Sequence, residues 1–143
     1  MTIGRLVASR DPASIITCEA SASLAEAVDC LASRRIGALP VMNGGQVAGI
    51  LSERDIIYRL REEGAVCLQR QVAEVMTAPA ITVERSAKVD DALELMTRRR
   101  IRHLPVVEDG RMLGFVSIGD LVKAKIDDAL REAEQMRQYI RTA

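Results

Sequence analysis

Apolar and polar positions along this chain run through one series of periods twice. Ile15-Ile16-Thr17-Cys18 is a short β-prone run. Leu24, Ala27, Val28 and Leu31 then fall at i, i+3, i+4 and i+7 behind Ser23, whose capping-box partner is Glu26, and this predicts an amphipathic helix. Residues 39–42 and 46–51 read as strands around Asn43-Gly44-Gly45, a strong hairpin signal, and a helix opens at Ser52. Val89, Ala92, Leu93 and Met96 repeat the helical stripe, Glu108-Asp109-Gly110 repeats the turn, and Ser117 opens a second late helix. Shifting residues 16–60 forward by 65 positions lays them on 81–125 without a gap, and about a third of the positions are identical.

The pattern predicts an α/β (α+β) fold of two βαββα units around a pseudo-twofold axis. They should pack through their sheets, helices outside, with ligand-sized clefts between the halves. Residues 1–66 are expected to form the first repeat with its lead-in, 67–126 the second, and 127–143 a helical extension. In that extension Ile126, Ala129, Ala133, Met136 and Ile140 keep one apolar stripe. Gly64 is expected to stop a helix. Pro40 and Pro105, which cannot donate to a ladder, are expected at a sheet edge or strand start. Apolar residues make up 48% of the chain and aromatics 2%, so the core must be aliphatic. A net charge of +0 gives no overall pull toward nucleic acid or an anionic membrane. No apolar run approaches the roughly 20 residues that span a bilayer. Cys18, Cys30 and Cys67 are odd in number and lack Cys-x-x-Cys spacing, which argues against disulfides and metal and for a reduced, cytoplasmic setting.

The candidate chemistry lies in Gly-Ile-Leu-Ser-Glu-Arg-Asp at 49–55 and Gly-Phe-Val-Ser-Ile-Gly-Asp at 114–120. Glycine permits close approach to the strand, and serine opens a helix whose start favours an anion. Asp55 and Asp120, one turn in, could each accept hydrogens from the vicinal hydroxyls of a ribose. The same Ser-x-x-Asp is also a helix cap, and serine can fill both roles.

With its doubled Ile-x-x-Leu-Pro-Val and Gly-h-h-Ser-x-x-Asp segments (h apolar), the chain resembles a tandem pair of cystathionine-β-synthase (CBS) domains, a Bateman module, over residues 5–125. The resemblance implies binding of AMP, ADP, ATP, S-adenosylmethionine or NAD(H) in two clefts between the halves. It implies Asp55 and Asp120 on ribose hydroxyls, and Ser52 and Ser117 near ribose or phosphate. Gly37, Ala38, Leu39 and Pro40 of one copy, and Arg102, His103, Leu104 and Pro105 of the other, would hold adenine. Thr17 and Thr82 would lie beside the base, with Thr77 a further polar contact that Asp11-Pro12 replaces in the first copy. Arg102 or His103 would reach across the pseudo-twofold to a phosphate in the Asp55 cleft, while the Asp120 cleft faces Gly37-Ala38 without that help.

One histidine and no recognisable nucleophile, P-loop or metal cluster disfavour an enzyme and a catalytic cofactor. Nucleic-acid binding is disfavoured by the zero charge and the lack of an aromatic platform. The expected function is an adenine-nucleotide sensor acting on a separate effector. The alternative is an assembly module with empty clefts. A homodimer is expected, because Met136 and Ile140 lie beyond the repeated unit.

Overall fold

The computed structural model describes residues 1–142. In chain order the elements are α1 (Ile3–Val7), a 3-10 turn (Pro12–Ser14), β1 (Cys18–Glu19), α2 (Leu24–Arg34), β2 (Ala38–Asn43), β3 (Gln46–Ser52) and α3 (Glu53–Glu63). A second 3-10 turn (Gly64–Gln69), α4 (Val72–Val75), α5 (Val89–Arg99), β4 (His103–Glu108), β5 (Arg111–Ser117) and α6 (Ile118–Thr142) follow. β1, β2 and β3 form one sheet in that order, and β4 and β5 form another. No helix among the described residues is long and apolar enough to cross a membrane.

Local chemistry explains most of the boundaries. Ser23 caps α2 by accepting from the Glu26 N–H at 3.1 Å, while the Glu26 carboxylate stays exposed. Gly64 ends α3 at φ +76°. Both hairpins turn on two residues of positive φ, Gly44-Gly45 and Asp109-Gly110, as the twist of paired strands favours. Each hairpin carries a register shift at the same place, between Val41 and Met42 and between Val106 and Val107.

The first strand of each unit is shorter than its β-prone run. In the first half only Cys18 and Glu19 pair, in parallel with Val41 and Met42. In the second half one bridge remains, Val83 to Val106. There the Val83 N–H donates to the Pro105 carbonyl at 3.0 Å and the Val83 carbonyl accepts from Val107 at 2.9 Å. The next donor toward residue 81 would be the nitrogen of Pro105, which has no hydrogen, so the ladder stops. Pro40 and Pro105 thus sit third in their strands, buried rather than at an exposed edge, where the neighbouring strand has already ended.

Two cores form, and each lead-in crosses to the other half. Leu24, Ala27, Leu31, Leu39, Val41, Leu51 and Ile56 pack with Cys67, Val72 and Val75, which precede the second repeat. Val89, Ala92, Met96, Leu104, Val106, Val116 and Leu121 pack with Ile3 and Val7, which precede the first. The division at 66/67 assigns each lead-in to the unit that follows it, and the packing runs the other way. The repeated strand glycines make this possible. A Cβ on Gly49 would lie 2.6 Å from the Thr77 carbonyl oxygen, and one on Gly114 would lie 2.8 Å from Val7 Cγ1. Burial, then Cys30 and Glu19 nearby, pushes the Cys18 thiol up to about 11, so it packs as a neutral small group.

Candidate functional site

Each Ser-x-x-Asp closes a capping box at the start of a late helix. In α3, the Ser52 N–H donates to Asp55 Oδ2 at 2.9 Å and the Asp55 N–H returns to Ser52 Oγ at 3.3 Å, with a further bond from Ser52 Oγ to Oδ2 at 3.0 Å. In α6, Ser117 N–H to Asp120 Oδ2 is 2.8 Å and Asp120 N–H to Ser117 Oγ is 3.1 Å. The cap and the ligand reading therefore share these residues: one carboxylate oxygen is committed to the helix. The helix starts are also less open to an anion than the sequence suggests. The Glu53 N–H donates to the Gly37 carbonyl at 2.9 Å and the Ile118 N–H to the Arg102 carbonyl at 2.8 Å.

The second carboxylate oxygen distinguishes the two halves. Asp55 Oδ1 accepts from Thr77 Oγ1 at 3.0 Å. Thr77 is held there by a backbone bridge to Ile50, its N–H donating at 2.9 Å and its carbonyl accepting at 3.0 Å. Pro12 occupies the equivalent position of the first lead-in and has no N–H to make such a bridge. Asp120 meets Arg10 instead: Nη2 lies 3.2 Å from Oδ1 and Nη1 3.4 Å from Oδ2. Partial burial raises the Asp120 carboxyl, but the Ser117 N–H and Arg10 together outweigh it and hold the group below its usual range.

Around Asp55 lies a cleft of about 250 Å³. Ser52, Glu53, Arg54 and Thr77 line one wall, and Arg100, Arg102 and His103 of the other half face them. Ile50, Pro79, Ala80, Ile81 and Ile101 supply apolar surface. Three arginines against two carboxylates leave it one positive charge in excess. Around Asp120 lies a cleft of about 290 Å³ with Arg10, Asp11, Ser14, Ser117, Ala38 and the His103–Phe115 pair. One arginine against two carboxylates leaves this cleft one negative charge in excess.

His103 borders both clefts. Its ring stacks on Phe115 with centroids 5.3 Å apart and planes 15° from parallel. Burial is the main cause that lowers its pKa, with Arg102 acting the same way and Asp120 opposing, so the imidazole is mostly neutral at neutral pH.

The fold therefore gathers Ser52, Asp55, Thr77, Gly37, Ala38, Arg102 and His103 at one cleft, and Ser117, Asp120, Ala38 and His103 at the other. It does not bring Leu39, Leu104, Pro40 or Pro105 to either lining, because all four are buried in or beside the cores. Thr17 lines a separate shallow hollow with Cys18 and Cys30, and Thr82 is an exposed residue outside both linings. Their neighbours Ile16 and Ile81, just ahead of the paired residues, line the clefts instead. Sequence reasoning missed Arg10, Glu53, Arg100 and Phe115. Arg100 adopts φ +56° just past α5 and lines the Asp55 cleft.

Comparison with known proteins agrees with this architecture. The CBS domain family model matches residues 6–62 and 72–127. The chain is 36% identical over 128 residues to the mitochondrial CBS domain-containing protein CBSX3 of Arabidopsis thaliana, covering 86% of this chain and 62% of that protein. It is 39% identical over 114 residues to the inosine-5'-monophosphate dehydrogenase of Mycobacterium bovis, but spans only 20% of that enzyme, its CBS region. Among solved structures, the CBS-domain protein ATU1752 of Agrobacterium tumefaciens superposes with a TM-score of 0.81 at 35% identity, over 87% of this chain and 99% of that one. CBSX2 in complex with AMP gives 0.75 at 25% identity over 90% and 98%. The CBS pair of MJ0100 with 5'-methylthioadenosine and S-adenosyl-L-methionine gives 0.76 at 25% identity over 90% and 98%. Two matched segments, each with its hairpin and its Ser-x-x-Asp helix start, fill most of this chain; it belongs to the CBS-domain family as a tandem pair, a Bateman module.

Proposed function

We propose that this chain is a regulatory module that binds an adenine nucleotide (AMP, ADP, ATP or NAD(H)) chiefly in the Asp55 cleft and passes the resulting change of shape to a separate effector. The observation that carries the proposal is the meeting of Asp55 and Thr77 with Arg100 and Arg102 across one cleft. A carboxylate for ribose hydroxyls and guanidinium groups for phosphate are the donor set that a nucleotide requires. AMP in the complex with CBSX2 and adenosyl ligands in the MJ0100 pair support the ligand class. The Asp120 cleft, with its opposite charge and Arg10 on the carboxylate, is the weaker or differently specialised site.

The carrier of the signal is a homodimer in this reading. Ile57 and Tyr58 on α3, and Val122 at the position equivalent to Ile57 on α6, present exposed apolar surface on the outer helical faces. Three unpaired cysteines suit a reducing compartment.

The test is calorimetric titration of the full chain with AMP and with adenosine. One dominant site per chain, with AMP bound more tightly than adenosine, is the expected result. No heat and no thermal stabilisation from any adenine nucleotide would leave the assembly-module reading in its place.

A further inference from the structure

α6 runs 25 residues, but only its first part belongs to the module. Leu121 and Ala124 are buried, Lys125 pairs with Asp90 at 2.7 Å, and every residue from 129 to 142 is exposed. Fourteen residues of helix, about 21 Å, thus project with no packing from their own chain. A helix of that length is marginal by itself in water. Its apolar residues are nevertheless ordered. Val122, Ile126, Ala129, Ala133, Met136 and Ile140 alternate spacings of four and three, the d and a positions of a heptad repeat. Ile126, Met136 and Ile140 are 54%, 63% and 70% exposed. At 100° per residue the stripe lies roughly 130° around the helix from Leu121 and Ala124, so it faces away from the module.

We propose that α6 pairs with α6 of a second copy as a parallel two-stranded coiled coil through this stripe. The proposal rests on the homodimer reading above and fixes its geometry, with second repeats adjacent and C-terminal ends together. Charge selects the direction. Glu132 and Arg137 occupy g and e positions, and parallel helices set Glu132 of each copy beside Arg137 of the other, twice by symmetry. An antiparallel pair aligned over the same stripe opposes Lys123 to Arg137 and Glu132 to itself. The present partner of Arg137 is Glu134 at 3.5 Å on the exposed surface, a weak hold that an interhelical contact replaces at little cost. Ala129 and Ala133 at the centre allow close approach, and Ile126 and Ile140 at a positions suit two strands.

The experiment uses the full chain with Met136→Cys, mild oxidation and sedimentation. Met136 lies outside the module cores, so this variant keeps the fold. The expected result is a covalent dimer linked at position 136 and absent from oxidised wild type, whose three native cysteines serve as the control. In parallel, Glu132→Arg weakens the dimer about tenfold, and adding Arg137→Glu restores it. A dimer that neither cross-links at 136 nor responds to the charge reversal overturns the parallel seam while the homodimer stands. A monomeric wild type at micromolar concentration overturns both.

Discussion

The clefts at Asp55 and Asp120 start from one template and diverge most at the Oδ1 oxygen of the carboxylate. Both aspartates spend Oδ2 on the serine N–H of their own helix start. At Oδ1 a threonine hydroxyl meets Asp55, whereas a guanidinium meets Asp120. A neutral hydroxyl takes one lone pair of the carboxylate and leaves its negative charge unpaired. A guanidinium 3.2 Å from Oδ1 pairs with the negative charge of Asp120 instead. Neither group lies in the repeated unit; both arrive on the crossed lead-ins. Duplication thus supplies the scaffold, and the segments exchanged between halves set the charge and hydrogen bonding at each aspartate.

The largest expected difference follows from removing the two carboxylates in turn. Asp55→Ala leaves two ribose hydroxyls without an acceptor and is expected to cost about 1.5–3 kcal/mol of AMP affinity. Asp120→Ala is expected to leave AMP affinity within about twofold, on the order of 0.4 kcal/mol. Both break a capping box, so both should lose about 1 kcal/mol of unfolding free energy. Calorimetry and denaturant unfolding on the same samples separate the two effects. Equal affinity losses would erase the distinction between the clefts, and a larger loss in Asp120→Ala would reverse it.

A smaller effect distinguishes the cations that face Asp55. The sequence leaves Arg102 and His103 equally able to reach a phosphate, but burial lowers the pKa of His103 and keeps it mostly neutral. A guanidinium carries its charge at any working pH. Arg102→Ala is therefore expected to weaken AMP by about 1 kcal/mol, in line with an exposed charge pair, and to leave adenosine unchanged. His103→Ala should affect AMP and adenosine alike, because the lost contact is the ring. A selective loss of AMP in His103→Ala, with none in Arg102→Ala, would move the phosphate contact back to histidine.

The guanidinium on Asp120 offers a test that needs no ligand. The folded carboxyl titrates below its ordinary value, so its contribution to stability is present above the unfolded pKa of about 3.9 and is lost as pH falls through the folded one. Arg10→Ala removes one cause of the depression. The Asp120 titration followed by NMR should move upward, and stability should fall less steeply below about pH 4. At neutral pH the variant should lose under about 1 kcal/mol, since Arg10 is largely exposed. An unmoved titration would mean that the Ser117 N–H alone holds Asp120.

The sequence carried the fold because its devices are local. The Ser52 and Ser117 helix starts, the positive-φ turns at Gly44-Gly45 and Asp109-Gly110, and the inward stripes of α2 and α5 each follow from a few neighbouring residues. The resemblance also placed Asp55, Thr77, Arg102 and His103 at shared clefts. What escaped is non-local. Arg10 lies 110 positions from Asp120, and nothing in its neighbourhood announces that the first lead-in packs on the second half. The loss of the first strand to Pro105 was legible in principle, since the missing donor is a property of proline, but only once the pairing side was known. Thr17 and Thr82 fell outside the clefts because a strand's alternation fixes sides only when its register is fixed.

The smallest expected effect concerns a strained pair. Arg35 and Arg100 end α2 and α5 at φ +53° and +56°, a left-handed position where glycine is at ease and arginine is not. The two are equivalent in the repeat, so Arg35→Gly and Arg100→Gly should each stabilise the fold by similar amounts, about 0.5–1 kcal/mol, after the greater freedom of unfolded glycine is counted. Their surroundings differ. Arg100 lines the Asp55 cleft, whereas Arg35 lines a groove between α2 and α3 with Val28, Ile56 and Ile57. Only Arg100→Gly removes a cation facing Asp55, and a few tenths of a kcal/mol of AMP affinity should go with it, as for an exposed charge at the rim of a site. Thermal melts should show matching gains of about 1–4 °C. Titrations should show an affinity loss in Arg100→Gly alone. Equal affinities in the two variants would mean that Arg100 is kept for something other than the ligand's charge. A stability gain in only one of them would mean that the strain is already relieved in the other half, and the two helix ends would then differ in energy as well as in what they face.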